Sequence, residues 1–105
     1  MIRMDKLRAL RTLVAIADAG SLTAASELLH TSLQSVMRSL SDLETSLGTR
    51  LVNRTTRRLA LTAAGRDYVD NVRRVLAELE DADTAAQSGQ SVPRGSLVID
   101  RKSVV

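Results

Sequence analysis

The chain has 105 residues, a net charge of +3, no cysteine, a single histidine (His30), one tyrosine and neither Phe nor Trp. That is room for one small domain and an extension, and it excludes disulfides, thiolate metal sites and cysteine nucleophiles. One imidazole supports neither a histidine metal cluster nor a Ser-His-Asp triad, no apolar run nears the roughly 20 residues of a membrane span, and no signal peptide opens the chain; the expectation is a soluble, cytoplasmic protein that is not an enzyme and holds no cofactor or metal.

The charge is unevenly divided. Residues 1–66 carry 10 Lys/Arg against 5 Asp/Glu, whereas residues 67–105 carry 5 against 7. Between Glu44 and Asp67 there is no acid, yet Arg50, Arg54, Arg57, Arg58 and Arg66 occur there. Such a local excess fits either a polyanionic partner or a solvated basic face.

Asp5 precedes Leu7, Leu10, Leu13, Val14 and Ala17, close to the period of an amphipathic helix that Asp5 caps and Gly20 ends. Ser21 caps a second, short helix through about Leu29, with Leu22, Ala25, Leu28 and Leu29 inward. The small residues Ala24, Ala25 and Ser26 permit close approach of a neighbour. His30-Thr31 then reads as a tight turn, because histidine tolerates the left-handed backbone better than most residues. Ser32 caps a third helix in which Val36, Leu40, Leu43 and Leu47 form a buried stripe, and Gly48 stops it. Three short helices so spaced are the arrangement of a helix-turn-helix.

The stretch from Arg50 to Thr62 reads as a β-hairpin, the wing of a winged-helix domain, with Arg57 and Arg58 at its tip. From about Thr62 to Gln87 a long helix is predicted, roughly 40 Å at 1.5 Å per residue. Tyr68, Val72, Val75, Leu79, Ala82 and Ala86 recur on it at heptad spacing and point to pairing with a second copy, the alternative being a fold-back onto its own domain. Residues 88–96, with the one proline, form a flexible connector, and Leu97-Val98-Ile99 looks like a first strand of something further. The predicted organisation is mostly α: a winged helix-turn-helix over residues 1–61, a linker and dimerisation helix over 62–88, and over 89–105 a flexible tail that is the truncated start of another domain.

In a helix-turn-helix the second helix of the motif enters the major groove. The outward face of the third helix presents Gln34, Ser35, Arg38 and Ser41; Gln34 suits adenine, and Arg38 guanine or a phosphate. Ser21, Thr23 and Ser32 suit phosphate oxygens, which set register without reading sequence. Arg57 and Arg58 at the hairpin tip suit the adjacent minor groove, where narrow A·T tracts concentrate negative potential, and Arg54 of the same hairpin is a further DNA-binding candidate. RNA is disfavoured, because single strands are read on aromatic platforms and this chain has only Tyr68. No nucleophile–base pair or metal set is visible.

The segments Leu7 to Leu47, "RLVNRTTRR" and Leu61-Thr62-Ala63-Ala64-Gly65 resemble the N-terminal domain of LysR-type bacterial transcription regulators. Most specific are Ala17-Asp18-Ala19-Gly20-Ser21-Leu22-Thr23-Ala24-Ala25 and the pair Leu43-Glu44 followed by Leu47-Gly48. The resemblance implies a DNA-binding dimer that regulates transcription at operators of partial dyad symmetry. It also implies a C-terminal domain, absent here, through which a full-length form senses a small-molecule inducer. A protein-interaction module that captures full-length regulators through the linker helix is the alternative. Where the family commonly reads S-Q-P-A-V-S-R, this chain has Ser32-Leu33-Gln34-Ser35-Val36-Met37-Arg38. Leu33 and Met37, one turn apart, either touch thymine methyls or extend the edge of the core. Leu13, Leu22 and Val52 stand at family Phe positions, a smaller volume in the same pattern.

Overall fold

A computed structural model describes residues 5–54 and 59–89. The expected hairpin tip with Arg57 and Arg58, and the strand at Leu97-Val98-Ile99, lie outside the described residues. In chain order the elements are α1 (Lys6–Ala19), α2 (Leu22–Leu28), α3 (Leu33–Leu47), β1 (Val52–Arg54), β2 (Leu59–Leu61) and α4 (Ala63–Gln87). This is a winged helix-turn-helix followed by a long helix, as the sequence predicts.

Each of the first three helices begins on a side-chain cap that satisfies an otherwise orphaned backbone donor. The N–H of Arg8 donates to Asp5 Oδ1 (3.1 Å), that of Ala24 to Ser21 Oγ (3.0 Å), and that of Ser35 to Ser32 Oγ (3.1 Å). α1 and α3 end on Gly20 (φ 82°) and Gly48 (φ 66°), where a left-handed residue is needed. His30 is the non-glycine residue at positive φ (55°) among those described, which makes it the turn residue between α2 and α3. Its N–H donates to the Glu27 carbonyl (3.2 Å), and that of Thr31 to the Ser26 carbonyl (3.0 Å).

The core is built on Leu13, Ile16, Val36, Leu40, Leu43, Leu51 and Val52, all essentially inaccessible. α1 packs against both α2 and α3, so its buried face is wide and takes in Ala9, Thr12 and Ala15 as well as Leu10. Thr12 is tolerated there because its hydroxyl donates to the Arg8 carbonyl (2.8 Å).

Three leucines expected inward are not. Leu7 is 39% exposed, Leu47 36% and Leu28 58%. On α2 the buried residues are Ala25 and Ser26. An inward face centred between those two, over half-buried Leu22 and Leu29, turns Leu28 about a third of a turn away. Ser26 can occupy that face because its hydroxyl donates to the Thr23 carbonyl (2.7 Å).

The hairpin pairs Val52 with Leu61, Asn53 with Ala60 and Arg54 with Leu59, antiparallel. Glu44 in α3 ties it to the helices: its Oε2 accepts from the N–H of Leu51 (2.8 Å) and of Val52 (3.1 Å). Thr62 closes the base. Its N–H donates to the Leu51 carbonyl (2.9 Å), its hydroxyl to the Arg50 carbonyl (2.8 Å), and the Gly65 N–H to that same hydroxyl (2.9 Å). Gly65 lies so close that an added Cβ would fall on the Leu51 carbonyl.

The first compact unit runs to Arg73 and so takes in the opening turns of α4, where Gly65, Val69 and Val72 are buried. Within it Arg73 donates to Asp18 Oδ1 at 2.7 Å, and this hydrogen bond raises the arginine pKa above its ordinary value. In the second unit, from Arg74, Val75 is 53% exposed, Leu76 and Leu79 are half-buried, and residues 80–89 are exposed.

Candidate nucleic-acid interface

The start of α3 is positioned by two local devices, the left-handed turn at His30 and the Ser32 cap, and its inner face is anchored by Val36, Leu40 and Leu43. Everything on the opposite face is therefore free to meet a partner. Gln34, Arg38 and Ser41 are exposed there, with Thr45 one turn further on. Their spacing of four, three and four residues makes one polar stripe along the helix. Ser35, expected on the same face, is half-buried, with its N–H committed to the Ser32 hydroxyl.

That stripe runs into the hairpin. Ser41 and Thr45 border a shallow concavity of about 320 Å³ together with Arg50 and Arg54. The helix and the base of the wing thus line one concavity, to which Arg50 and Arg54 contribute two cationic residues and Glu44 one acidic residue. Glu44 fixes this relation, since it holds the first two backbone N–H groups of the hairpin entrance. Arg38 borders a second concavity of about 250 Å³, which it shares with Asp5, Arg8 and Asp42.

Of the residues expected at phosphates, Thr23 and Ser32 are exposed and Ser21 is half-buried. The Ser21 and Ser32 oxygens already accept a helix N–H, but a hydroxyl that accepts still has its proton to donate. Leu33 and Met37 are 41% and 39% exposed and so do not extend the core. On α4, Tyr68 and Leu79 are half-buried, Val75, Ala82 and Ala86 exposed, and Val72 is buried within the chain at 4%.

Sequence reasoning did not single out the roles of Arg50, Glu44, Thr62 and Gly65. Arg50 was visible only as one of several arginines, and nothing local distinguishes it. The signal for Gly65 was a glycine inside a helix with no cap to make, a residue type that weakens helices unless something must come close. Among the described residues, no three His, Cys, Asp or Glu side chains could hold a metal ion, and no helix is long and apolar enough to cross a membrane.

Residues 7–66 match the family described as bacterial regulatory helix-turn-helix protein, lysR family. An HTH-type transcriptional repressor of Pseudomonas aeruginosa is 41% identical over 97 residues, which are 92% of this chain and 31% of that protein. The HTH-type transcriptional activator AaeR of Escherichia coli is 34% identical over 102 residues, 97% of this chain and 33% of the relative. Among solved structures, the DNA complex of the CbnR DNA-binding domain superposes with a TM-score of 0.75 at 32% identity, covering 79% of this chain and 95% of that domain. The chain belongs to the LysR family of bacterial helix-turn-helix regulators. It spans about a third of the length of these two curated relatives.

Proposed function

We propose that this chain binds double-stranded DNA sequence-specifically as a homodimer and thereby regulates transcription in the bacterial cytoplasm. α3 lies in the major groove, with Gln34 and Arg38 at base edges. Arg50 and Arg54 engage the flanking backbone, and Arg57 and Arg58, at the hairpin tip by sequence, enter the adjacent minor groove. Ser21, Thr23 and Ser32 bond phosphates. The observation that carries this reading is the concavity in which Ser41 and Thr45 of α3 meet Arg50 and Arg54. A groove-sized helix and a basic strand base share one surface there. A domain 32% identical to this chain has been solved in complex with DNA, which supports DNA as the partner.

The dimer forms through α4, where Tyr68, Val75, Leu79, Ala82 and Ala86 keep surface available, while Val72 supports the helix from inside its own chain. Sensing of a small inducer belongs to a longer form carrying an effector domain.

Replacing Arg50, Arg54, Arg57 and Arg58 with alanine tests the DNA surface. Every phosphate that goes unneutralised as a result lowers the slope of log affinity against log salt by about 0.9. A slope unchanged in the quadruple variant overturns the placement. Leu79→Glu, followed by light scattering, tests the dimer; a variant that stays dimeric rejects the α4 interface.

A further inference from the structure

Leu33 and Met37 are the two large apolar side chains at the start of α3 that the core does not absorb. They are 41% and 39% exposed, against 1% for their neighbours Val36 and Leu40. Four residues apart, they lie on one flank of the helix, and the same row continues one turn later to Ser41, at the concavity it shares with Arg54. Beside them runs the stripe of Gln34 and Arg38. No carboxylate occurs from Leu33 to Ser41, and the one charged residue in that stretch is Arg38, so the exposed apolar pair lies beside a cation.

We propose that Leu33 and Met37 read the C5-methyl groups of thymines in the major groove, so that the preferred DNA site carries thymines at two nearby steps of each half-site. The inference deepens the reading of α3 as the recognition helix and rests on it. Of the four bases, thymine alone offers a methyl group on the major-groove edge. Neither Leu nor Met can pair with a polar base edge, so a G·C pair placed against them would lose water and gain no hydrogen bond. Four residues of helix rise about 6 Å, close to two steps of a duplex at about 3.4 Å each. The cations flanking the pair favour a polyanion over an apolar protein surface as the occupant.

The experiment selects duplexes from a random library with the full chain, then resynthesises the preferred duplex with deoxyuridine in place of thymidine, which removes the methyl group and nothing else. Each methyl removed weakens binding about 4-fold, the worth of burying one methyl-sized group, and matched removals in both half-sites of a dimer about 15-fold. With Leu33→Ala and Met37→Ala combined, the penalty disappears; both side chains are exposed, so an unchanged melting curve shows that the fold persists. A selected site without thymine in its half-sites, an affinity indifferent to deoxyuridine, or an equal penalty in the double variant overturns the inference and leaves α3 as the recognition helix. Failure to select any duplex sinks the recognition reading itself, and this inference with it.

Discussion

Replacing Gly65 with alanine sets two effects of opposite sign against each other. In an unobstructed helix the change stabilises by about 0.5–1 kcal/mol, because alanine loses less backbone freedom. Here the new Cβ would fall on the Leu51 carbonyl oxygen, with the carbonyl carbon at 2.9 Å and Cα at 3.2 Å. Leu51 cannot easily retreat. It is 2% exposed, its N–H is held by Glu44 at 2.8 Å, and its carbonyl accepts from Thr62 at 2.9 Å. Overpacking of this kind costs about 1–3 kcal/mol. A strained or broken Thr62–Leu51 hydrogen bond adds about 1 kcal/mol. After the propensity gain, the net is a loss of about 1–3 kcal/mol, read as a lower urea midpoint. Parent and variant are compared at one protein concentration, since any association shifts apparent stability. Ala64→Gly, at the exposed neighbouring position, is the control and loses no more than about 1 kcal/mol. A Gly65→Ala midpoint equal to or above the parent's would refute the close-approach argument.

Further outcomes follow from the same structure. Glu44→Ala strips the acceptor from two backbone donors on buried residues and costs about 2–4 kcal/mol. Glu44→Gln keeps an acceptor oxygen and costs less; equal losses in urea unfolding would show that the hydrogen bonds are not what holds the hairpin. Ser21→Ala removes the α2 cap for about 1 kcal/mol. Ser21→Asp keeps the cap but sets a carboxylate toward the phosphates, so its urea midpoint holds while duplex affinity in a fluorescence titration falls. The Arg73–Asp18 pair, 45% and 50% exposed at its side chains, contributes about 0–1 kcal/mol in a double-mutant cycle with Asp18→Asn and Arg73→Gln. Because the folded arginine pKa is raised, that contribution is present below the unfolded value and lost only in strong alkali. The coupling at pH 7 and pH 9 is therefore equal, and a difference would show that another group governs it.

The helices were legible because their punctuation is local. Asp5, Ser21 and Ser32 announce starts, Gly20 and Gly48 announce stops, and His30 supplies a left-handed turn within three residues of sequence. The stripe Val36, Leu40 and Leu43 fixes which side of α3 is buried, and with it which side carries Gln34 and Arg38. The rotation of α2 was less legible. Alanine and serine give little periodic signal, and whether Ser26 can be buried depends on its own hydroxyl finding the Thr23 carbonyl.

Along α4 the heptad spacing and the burial disagree for a general reason. A regular repeat describes one face of an isolated helix, whereas the domain under its first turns covers Val69 and Val72 by its own shape. Sequence by itself determined the elements, their order, and the polar stripe of α3 apart from half-buried Ser35, since each depends on residues within a few positions of one another. Tertiary structure decided that Arg50 and Arg54 stand beside Ser41 and Thr45, and that Leu33 and Met37 face solvent. The first of these relations is set by Glu44, Thr62 and Gly65 clasping Leu51, interactions that span up to 14 positions and leave no periodic trace in the chain, and the second by the burial of Val36, Leu40 and Leu43 on the other side of α3.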